Sequence, residues 1–546
     1  MIEKATGDVW WKNAVVYCVD VSTFLDSDGD GIGDLSGLTE RIDYLAGIGV
    51  SCLWLMPFYP SPRRDDGYDV TDFYGVDGRF GTPGDFVELI RTAADRGIRV
   101  IADLVPNHTS IDHPWFQSAR AGRDSRYRDF YVWVDEKPPE KPGDVVFPDK
   151  ETSNWAWDDR AEQWYLHRFY SHQPDLNVAN AAVRDELAQV IGYWIQQGLA
   201  GFRVDAVPFL LEPMGMPKGA LHDPHQLLKE LRRYMSRRRG DAILLGEVNL
   251  DPPQVREFFG DEDELHMAFD FSLNQAMYLA LARGEAAPLA AALQARPEIP
   301  EDCQWATFAR NHDELTLDKL TDAERAEVFA AFGPDPGMQL FGRGLRRRLP
   351  TMLDGDQDRI RMVYSLMFSL PGTPVLFYGE EIGMAVNLDI EGRLSVRSPM
   401  RWSQERHAGF STAPEGAKLV RPLGADDVDV AEQRRHADSL LSWMERLIRR
   451  RRECPELGWG RPTVLDAGRP AIFAHRCDWA GSTVVALHNL GARPATARLE
   501  LGPDTLVDLF DRDEILPKRT GRVEIPLGRY GYRWLALRGE GRRVAP

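Results

Sequence analysis

Residues 81–104 read GTPGDFVELIRTAADRGIRVIADL, which predicts one helix followed by one strand. A proline lies near the start of an amphipathic segment that we assign to Pro83–Arg96, and Gly97 follows it as the C-cap. The apolar run Arg99–Leu104 has the length and composition of a buried strand. A helix that leads directly into an apolar strand is the repeating unit of a parallel sheet, so this stretch predicts an α/β fold.

The same alternation extends along most of the chain. A second helix of this kind is predicted over Ala181–Gln197. Eight apolar runs are predicted as strands: Val15–Val21, Cys52–Leu55, Arg99–Leu104, Gly201–Val204, Ile243–Leu245, Met267–Phe271, Trp305–Phe308 and Thr373–Phe377. Eight strands with intervening helices over about 450 residues predict a (β/α)8 TIM barrel with insertions.

Two regions depart from this pattern. Between Leu104 and Gly201 the sequence is rich in aromatic residues and has little helical period, which predicts a subdomain inserted after the third strand. After a helix predicted over Ala437–Arg452, short alternating runs separated by turn residues predict a C-terminal all-β sandwich domain. The predicted boundaries are 1–107 and 178–459 for the barrel, 108–177 for the inserted subdomain and 460–546 for the C-terminal domain.

The composition limits the classes of partner. The 546 residues include 84 acidic and 66 basic ones, so the formal net charge is −18, and we expect no nucleic-acid partner because the positive field for one is lacking. The longest apolar runs fall short of a membrane span, and the start MIEKATGDVWWKN has no apolar signal core, so we expect neither membrane insertion nor export. Five scattered cysteines without a CxxC spacing predict reduced thiols in a cytoplasmic protein. The sequence is compatible with a homo-oligomer and does not determine the oligomeric state.

Acidic residues follow three of the predicted strands, at the end where barrel enzymes carry their chemistry. Asp205 follows GFRV, Glu247 follows ILLG, and Asp313 lies in FARNHD. One acid at such a position is equally consistent with a helix N-cap, but three on different strands favour a catalytic group. Arg203 lies two residues before Asp205, on the same strand face, and is expected to keep it ionised as a nucleophile. Glu247 has no cation adjacent in sequence, so burial is expected to raise its pKa and suit it to be a general acid.

Two carboxylates with opposed environments are the requirement of glycoside hydrolysis, and a separation of about 5 Å gives retention of configuration. Five motifs, in order along the chain, then carry a family resemblance: DLVPNH from residue 103, QPDLN from 173, GFRVDAV from 201, LLGEVN from 244 and RNHDE from 310. Together they resemble the sequence regions of the α-amylase family, glycoside hydrolase family 13. The resemblance implies that Asp205 is the nucleophile, Glu247 the acid/base and Asp313 the carboxylate that stabilises the transition state. It also implies that three further residues line the sugar subsite: His108, Arg203 and His312.

Two more motifs limit the class of expected substrates. RDDGYDV, from residue 64, and VRSPMRW, from 396, resemble segments that clamp the terminal glucose in family members acting on short α-glucosides. The resemblance implies a clamp between Asp65 and Arg397, with Tyr68 stacking beneath the sugar ring, so that a longer chain is excluded. The alternative for this pair is a surface salt bridge. Phe169 and Gln173, at the QPDLN motif, are further expected substrate contacts.

Long stretches, among them LWLMPFYPSPRRDDGYD and CQWATFARNHDELTLDKLTDAER, resemble the branch of the family that interconverts maltose and trehalose. In that reaction the nucleophile takes the glucosyl group, and the released glucose turns while trapped and attacks the intermediate. This chain reads GEVN around the acid and MRW in the clamp motif, where that branch typically reads AEAN and MQW. Hydrolysis of maltose or short malto-oligosaccharides by an α-glucosidase, and other transglucosylation, therefore stay open. A non-catalytic relative acting as a partner subunit is a remote alternative, because all three acids are present.

An acidic turn near the N-terminus predicts a structural calcium site. DSDGDGIGD, residues 26–34, has acids at alternate positions and glycine at the sixth, but position twelve is Gly37, which excludes an EF-hand. The resemblance implies the small calcium loop of the family, with these ligands: the carboxylates of Asp26, Asp28, Asp30 and Asp34 and the carbonyl of Ile32. It also suggests a second, weaker site at Asn107, Asp175 and Glu212. No organic cofactor is expected.

Overall fold

The structure is a computed structural model that describes residues 9–140, 145–211, 223–425, 427–502, 504–511, 513–516 and 521–538. Eight parallel strands form a closed barrel in which each strand pairs with its neighbours in chain order. They are β1 (Val16–Val19), β2 (Cys52–Leu55), β3 (Arg99–Leu104), β4 (Gly201–Val204), β5 (Ile243–Gly246), β6 (Met267–Phe269), β7 (Gln304–Phe308) and β8 (Thr373–Phe377). The predicted (β/α)8 barrel is confirmed.

The predicted strand bounds agree with β2, β3, β4 and β8 and differ slightly for the others. One difference is at β6, which was expected to extend to Phe271. The strand ends at Phe269 because Asp270 caps the next helix, its side chain accepting a hydrogen bond from the Leu273 N–H. The expected strand from Val15 to Val21 is also shorter, since Asp20 caps a 3₁₀ turn there.

Helices connect the strands and cover the barrel. The one that begins at Pro83 has a capping box, in which the side chains of Thr82 and Asp85 bond each other's backbone N–H. The α-helices of the barrel and its loops are Leu35–Glu40, Ile42–Ile48, Pro83–Asp95, Pro114–Ala121, Ala181–Gln196, Val207–Leu211, Gln226–Ser236, Pro252–Glu257, Phe271–Arg283, Ala287–Ala295, Asp322–Phe332, Leu349–Met352, Gln357–Ser369, Val430–Arg434, Leu440–Arg452 and Glu456–Trp459. The predicted helices over 83–96, 181–197 and 437–452 agree with three of these to within one to three residues.

The chain between β3 and β4 forms a small antiparallel sheet, as the aromatic sequence there indicated. Its strands are Trp133–Val134, Trp155–Asp158 and Gln163–Leu166. Aromatic side chains of this region pack on one another. For example, Phe116, on the helix Pro114–Ala121, packs on Trp133 of the sheet with ring centroids 5.4 Å apart. A second small sheet follows β7 and was not predicted: Leu315–Thr316, Gln339–Leu340 and Gly344–Leu345.

The C-terminal region is all-β, as predicted, and its strands are antiparallel. A six-stranded sheet is formed by Arg461–Val464, Ile472–Trp479, Ser482–Asn489, Thr505–Asp508, Glu514–Ile515 and Tyr532–Arg538. Ala495–Glu500 and Arg522–Leu527 form a two-stranded sheet, and the two sheets share one apolar core. In the part of the chain that the structure describes, no helix is both long enough and apolar enough to span a membrane. All five cysteines are buried and free.

Candidate active site

A cavity of about 440 Å³ lies at the carboxyl ends of the barrel strands, the edge where barrel enzymes bind their substrates. Its volume falls in the range of about 300–1,000 Å³ that is common for small-molecule sites. Of the sequence-predicted residues, seven line the cavity: Asp65, Tyr68, His108, Phe169, Asp205, Glu247 and Asp313. The other four predicted substrate-site residues do not line the cavity, but each contacts a residue that does: Gln173, Arg203, His312 and Arg397.

One guanidinium joins the carboxylates that follow β4 and β5. Nη1 of Arg203 lies 2.7 Å from Oδ1 of Asp205, and Nη2 lies 2.7 Å from Oε2 of Glu247. Nη1 also contacts Asp103, at the end of β3, at 2.5 Å. Arg203 is fully buried, so these charge-assisted bonds are strong and fix the side chains of Asp205 and Glu247 beside each other.

The pKa shifts of this pair agree with the sequence prediction for Glu247 but not for Asp205. Burial raises the pKa of Asp205 to about 6, although Arg203 opposes the shift, whereas the arginine was expected to dominate. Burial likewise raises the pKa of Glu247 to about 7, as predicted, but a cation does contact this residue, because Arg203 comes from the neighbouring strand. At neutral pH Asp205 is mostly ionised, whereas the raised pKa of Glu247 keeps a proton available on that residue.

The backbone after Asp205 turns sharply. Ala206 has a φ of +50°, in the left-handed region that non-glycine residues rarely adopt. This turn brings the Ala206 N–H to 3.3 Å from Oε2 of Glu247, and the next N–H, of Val207, donates to the Glu247 carbonyl. The strained residue therefore helps to hold the acid next to the nucleophile.

Asp313 is the most strongly paired of the three acids. Its Oδ1 accepts from Arg393 at 2.8 Å and from Arg397 at 3.0 Å, and its Oδ2 lies 3.2 Å from Nε2 of His312. Burial alone would disfavour ionisation, but the positive groups around it, His312 when protonated and the two arginines, hold the pKa of Asp313 well below its ordinary value. Asp313 is thus a permanent anion that cannot serve as a proton donor.

The predicted clamp between Asp65 and Arg397 is wrong in its pairing. Asp65 forms its ion pair with Arg393, at 2.9 Å, and Arg397 pairs instead with Asp66, at 2.5 Å, and with Asp313. The backbone explains the exchange, because Asp66 has a φ of +53° and so the two adjacent carboxylates point in different directions. Arg393 lines the cavity, whereas Arg397 is only 2% exposed and lies behind it.

Asp66 joins three arginine side chains behind the cavity, a role that the sequence did not predict. Its carboxylate binds three guanidinium groups, those of Arg63 at 2.6 Å, Arg397 at 2.5 Å and Arg421. Burial is outweighed by these charges, and the pKa of Asp66 is lowered. Arg421 also pairs with Asp20 at 2.9 Å and donates to the Arg397 carbonyl, so one carboxylate fastens the loop that carries Arg397 to the barrel. The only signal in the sequence was the doubled aspartate in RDDGYDV.

The remaining predicted sugar-site residues lie together. The Tyr68 hydroxyl is 2.7 Å from Nε2 of His312, and their rings stack with centroids 5.8 Å apart. His108 contacts the Tyr68 carbonyl at 3.2 Å and packs against Phe169. Burial lowers the pKa of His108 to about 3 and that of His312 to about 4, so both rings are neutral at pH 7. Gln173 donates to Oδ2 of Asp65 at 3.0 Å.

The two departures noted in the motifs lie outside the cavity lining. Val248, in GEVN, is fully buried in the core. Arg401, in MRW, donates to the backbone carbonyls of Val428, at 3.0 Å, and Gly424. Neither residue lines the cavity, so these two substitutions do not alter the surface that a substrate would contact.

The acidic turn brings three of its four carboxylates together. Oxygen atoms of Asp26, Asp28 and Asp34 lie within 4.8 Å of one another, and no lysine or arginine among the described residues pairs with them. Asp30 is not part of this cluster, and its carboxylate accepts from the Ile32 N–H at 2.7 Å. Carboxylate oxygen atoms are the hard donors that calcium prefers, so the residues fit that ion, and each oxygen of Asp26 and Asp34 also accepts a hydrogen bond from the protein.

The suggested second calcium site has a different character. Asn107 donates to Oδ1 of Asp175 at 3.1 Å, so these two predicted ligands do meet. However, Nε of Arg168 lies 3.4 Å from Oδ2 of Asp175, and this arginine already supplies a positive charge there. Glu212, the third predicted ligand, lies outside the described residues.

Comparison with known proteins shows the family to which the chain belongs. Residues 19–330 and 345–460 match the family model of the α-amylase catalytic domain. Residues 481–536 match that of a sucrose hydrolase-like C-terminal domain. The chain therefore belongs to the α-amylase family, glycoside hydrolase family 13, as its motifs indicated.

Within this family the similarity is more specific. The chain is 42% identical over 545 residues to the trehalose synthase/amylase of Mycobacterium tuberculosis strain H37Rv, a match that covers 97% of this chain and 89% of the relative. Two solved structures are similar in fold. An α-amylase from H. orenii has a TM-score of 0.79 at 28% identity and covers 96% of this chain and all of its own. A trehalulose synthase variant has a TM-score of 0.78 at 26% identity and covers 97% of this chain and all of its own.

Proposed function

We propose that this protein is a retaining enzyme that interconverts maltose and trehalose through a covalent glucosyl-enzyme. The observation that carries the proposal is the arrangement of three acids in the cavity lining: Asp205 and Glu247 share the Arg203 guanidinium, and Asp313 is held ionised by two more arginines. This arrangement suits the two-carboxylate chemistry of a retaining glycosidase, in which the nucleophile and the acid lie about 5 Å apart.

The first half of the reaction needs one anion and one proton donor. Asp205 attacks the anomeric carbon of the terminal glucose while Glu247 gives its proton to the departing glycosidic oxygen. The bond from glucose to that oxygen breaks as the bond to Asp205 forms. Asp313 faces the positive charge that develops on the sugar and stabilises it electrostatically.

The second half reverses these roles. Glu247, now ionised, takes a proton from the anomeric hydroxyl of the retained glucose, and that oxygen displaces Asp205 to give the new disaccharide. Water in place of glucose would give hydrolysis instead. The yield of trehalose therefore depends on how well the cavity holds the glucose and excludes water.

The substrate class rests on an ion pair in the cavity lining and on the relatives. Asp65 and Arg393 form an ion pair across the lining, which supports a pocket for a terminal glucose rather than a cleft for a continuing chain. The strong similarity to a trehalose synthase/amylase over nearly the full chain supports maltose and trehalose as that substrate pair. The word amylase in that relative's name favours one alternative, the hydrolysis of maltose or short malto-oligosaccharides.

We also infer that the turn formed by residues 26–34 binds a structural calcium ion. Asp26, Asp28 and Asp34 would hold the ion. Calcium would supply positive charge to an otherwise repulsive cluster, and it takes no part in the steps above.

The proposal is tested by NMR of the anomeric protons after incubation with maltose and, separately, with trehalose. Appearance of trehalose from maltose, and of maltose from trehalose, is the expected result. Glucose alone would make the protein a hydrolase. No conversion of either sugar would refute the proposed substrates.

A further inference from the structure

A loop segment binds the acidic turn and leads from it to the back of the candidate active site. We call this segment, residues 410–421, the strap. Near its start the Ser411 hydroxyl donates to Oδ2 of Asp26 at 2.5 Å, and near its end the Val420 N–H donates to the Gly31 carbonyl at 2.7 Å. The strap is therefore attached to the acidic turn at two points.

The strap ends at a buried arginine that makes three polar contacts. The guanidinium of Arg421 binds Asp66 and, at 2.9 Å, Asp20, the residue that follows β1. Its Nη1 also donates to the Arg397 carbonyl at 3.0 Å. Because a guanidinium presents several donors in one rigid plane, this single side chain holds both carboxylates and the carbonyl in a fixed arrangement.

One further arginine connects Arg421 to Asp313. Arg421 holds Arg397 both by its carbonyl and through Asp66, which binds Nη1 of Arg397 at 2.5 Å. The other side of the Arg397 guanidinium binds Asp313 at 3.0 Å, and Nε of Arg397 donates to the His312 carbonyl at 2.8 Å. Arg421 does not line the cavity, so any effect on a bound sugar passes through these residues.

We propose that Arg421 is a positioning residue that sets the orientation of Asp313 and connects this carboxylate to the acidic turn. The inference rests on the proposed function, in which Asp313 stabilises the positive charge that develops on the glucosyl group. That stabilisation depends on a carboxylate that is held in place before the reaction, so a displaced Asp313 stabilises the charge less. Binding of a neutral sugar depends less on this charge.

The test compares Arg421→Met with the unchanged protein by isothermal titration calorimetry. The two probes are glucose, which is neutral, and 1-deoxynojirimycin, a glucose analogue whose ring nitrogen carries a positive charge at neutral pH. We expect the Kd of the cationic analogue to rise about tenfold more than the Kd of glucose, because a small misplacement of a catalytic group can cost up to about a hundredfold in rate. The number of binding sites per chain should not change. A merely structural role would lower that number and leave the ratio of the two Kd values unchanged, which would overturn the proposal.

A matched control is Arg451→Met. Arg451 is also buried, but it donates to the carbonyls of Cys454 and of Gly372, which directly precedes β8 at the opposite end of the barrel. Its replacement should leave the ratio of Kd values unchanged, and a rise as large as in Arg421→Met would overturn the proposal. If thermal melting shows that Arg421→Met is unfolded, Arg421→Lys replaces it. Lysine keeps the charge but has a single nitrogen for the three contacts, so a smaller rise in the ratio is expected and an unchanged ratio is contradictory.

The connection to the acidic turn is tested with Ser411→Ala, alone and combined with Arg421→Met. Alone, it should raise the ratio by a smaller factor, because it removes the bond from the strap to Asp26. The double variant should have the same ratio as Arg421→Met, since the turn acts through Arg421, whereas two independent effects that multiply would contradict the connection. Failure of the unchanged protein on both maltose and trehalose would instead refute the proposed function itself.

Discussion

The rate of maltose conversion should depend on pH as a bell-shaped curve set by the pair that Arg203 joins. Below its pKa of about 6, Asp205 gains a proton and can no longer attack the anomeric carbon. Above its pKa of about 7, Glu247 loses the proton that the leaving oxygen requires. Activity is thus lost as the pH falls through the first value and as it rises through the second.

The magnitudes follow from these two values. The maximum of kcat/KM should lie near pH 6.5, roughly midway between them. At about pH 8.5 or 4.5 the rate should be roughly twentyfold lower than at the maximum, where about 60% of the enzyme has both groups in the active form. The two groups contact one arginine and titrate as a coupled pair, so the measured values belong to the pair.

The assay is kcat/KM for maltose between pH 4 and 9, with a thermal melt at each pH to separate lost chemistry from unfolding. A second substrate isolates the role of Glu247. With α-glucosyl fluoride the leaving group departs as an anion without a proton, so the fall on the alkaline side should shrink. A profile that stays flat from pH 5 to 8, or an alkaline fall that is equally steep for both substrates, would refute these assignments.

Three further predictions concern single residues. Asp205→Ala should lower kcat by about 10⁴-fold or more on every substrate while a thermal melt still shows a folded protein, and retained turnover would contradict its role as nucleophile. Asp66→Asn removes the anion that Arg63, Arg397 and Arg421 share, although Arg397 keeps Asp313 and Arg421 keeps Asp20, so chemical denaturation should show a loss of about 3–5 kcal/mol in the free energy of unfolding, whereas a loss below about 1 kcal/mol would contradict this role of Asp66. A chelator should lower the melting temperature of the unchanged protein but not that of Asp26→Ala, and an unchanged melting temperature in both would count against calcium.

The barrel could be predicted from sequence because its strands are short apolar runs between amphipathic helices. Burial of both faces forces a nearly continuous apolar strand, and that requirement is visible in runs such as CLWL and TPVLF. The catalytic carboxylates could be located because they directly follow such runs. The predicted strand ends were less accurate where a helix-capping residue such as Asp270 ends the strand early.

The pairing of charges could not be predicted, because it depends on where the backbone turns. Asp65 and Asp66 are adjacent, and Arg393 and Arg397 lie four residues apart, so sequence spacing permits either pairing. The left-handed conformation of Asp66 selects one of them. Likewise, Arg203 contacts Glu247 only because β4 and β5 are neighbours in the barrel.

A labelling experiment tests most directly whether the pocket retains the leaving glucose for a second attack. Maltose is converted in a large excess of free ¹³C-glucose, and the product is analysed by NMR and mass spectrometry. If the pocket retains the glucose, both glucose units of the trehalose will be unlabelled. Trehalose carrying one labelled unit in proportion to the free glucose, or glucose without any trehalose, would contradict it.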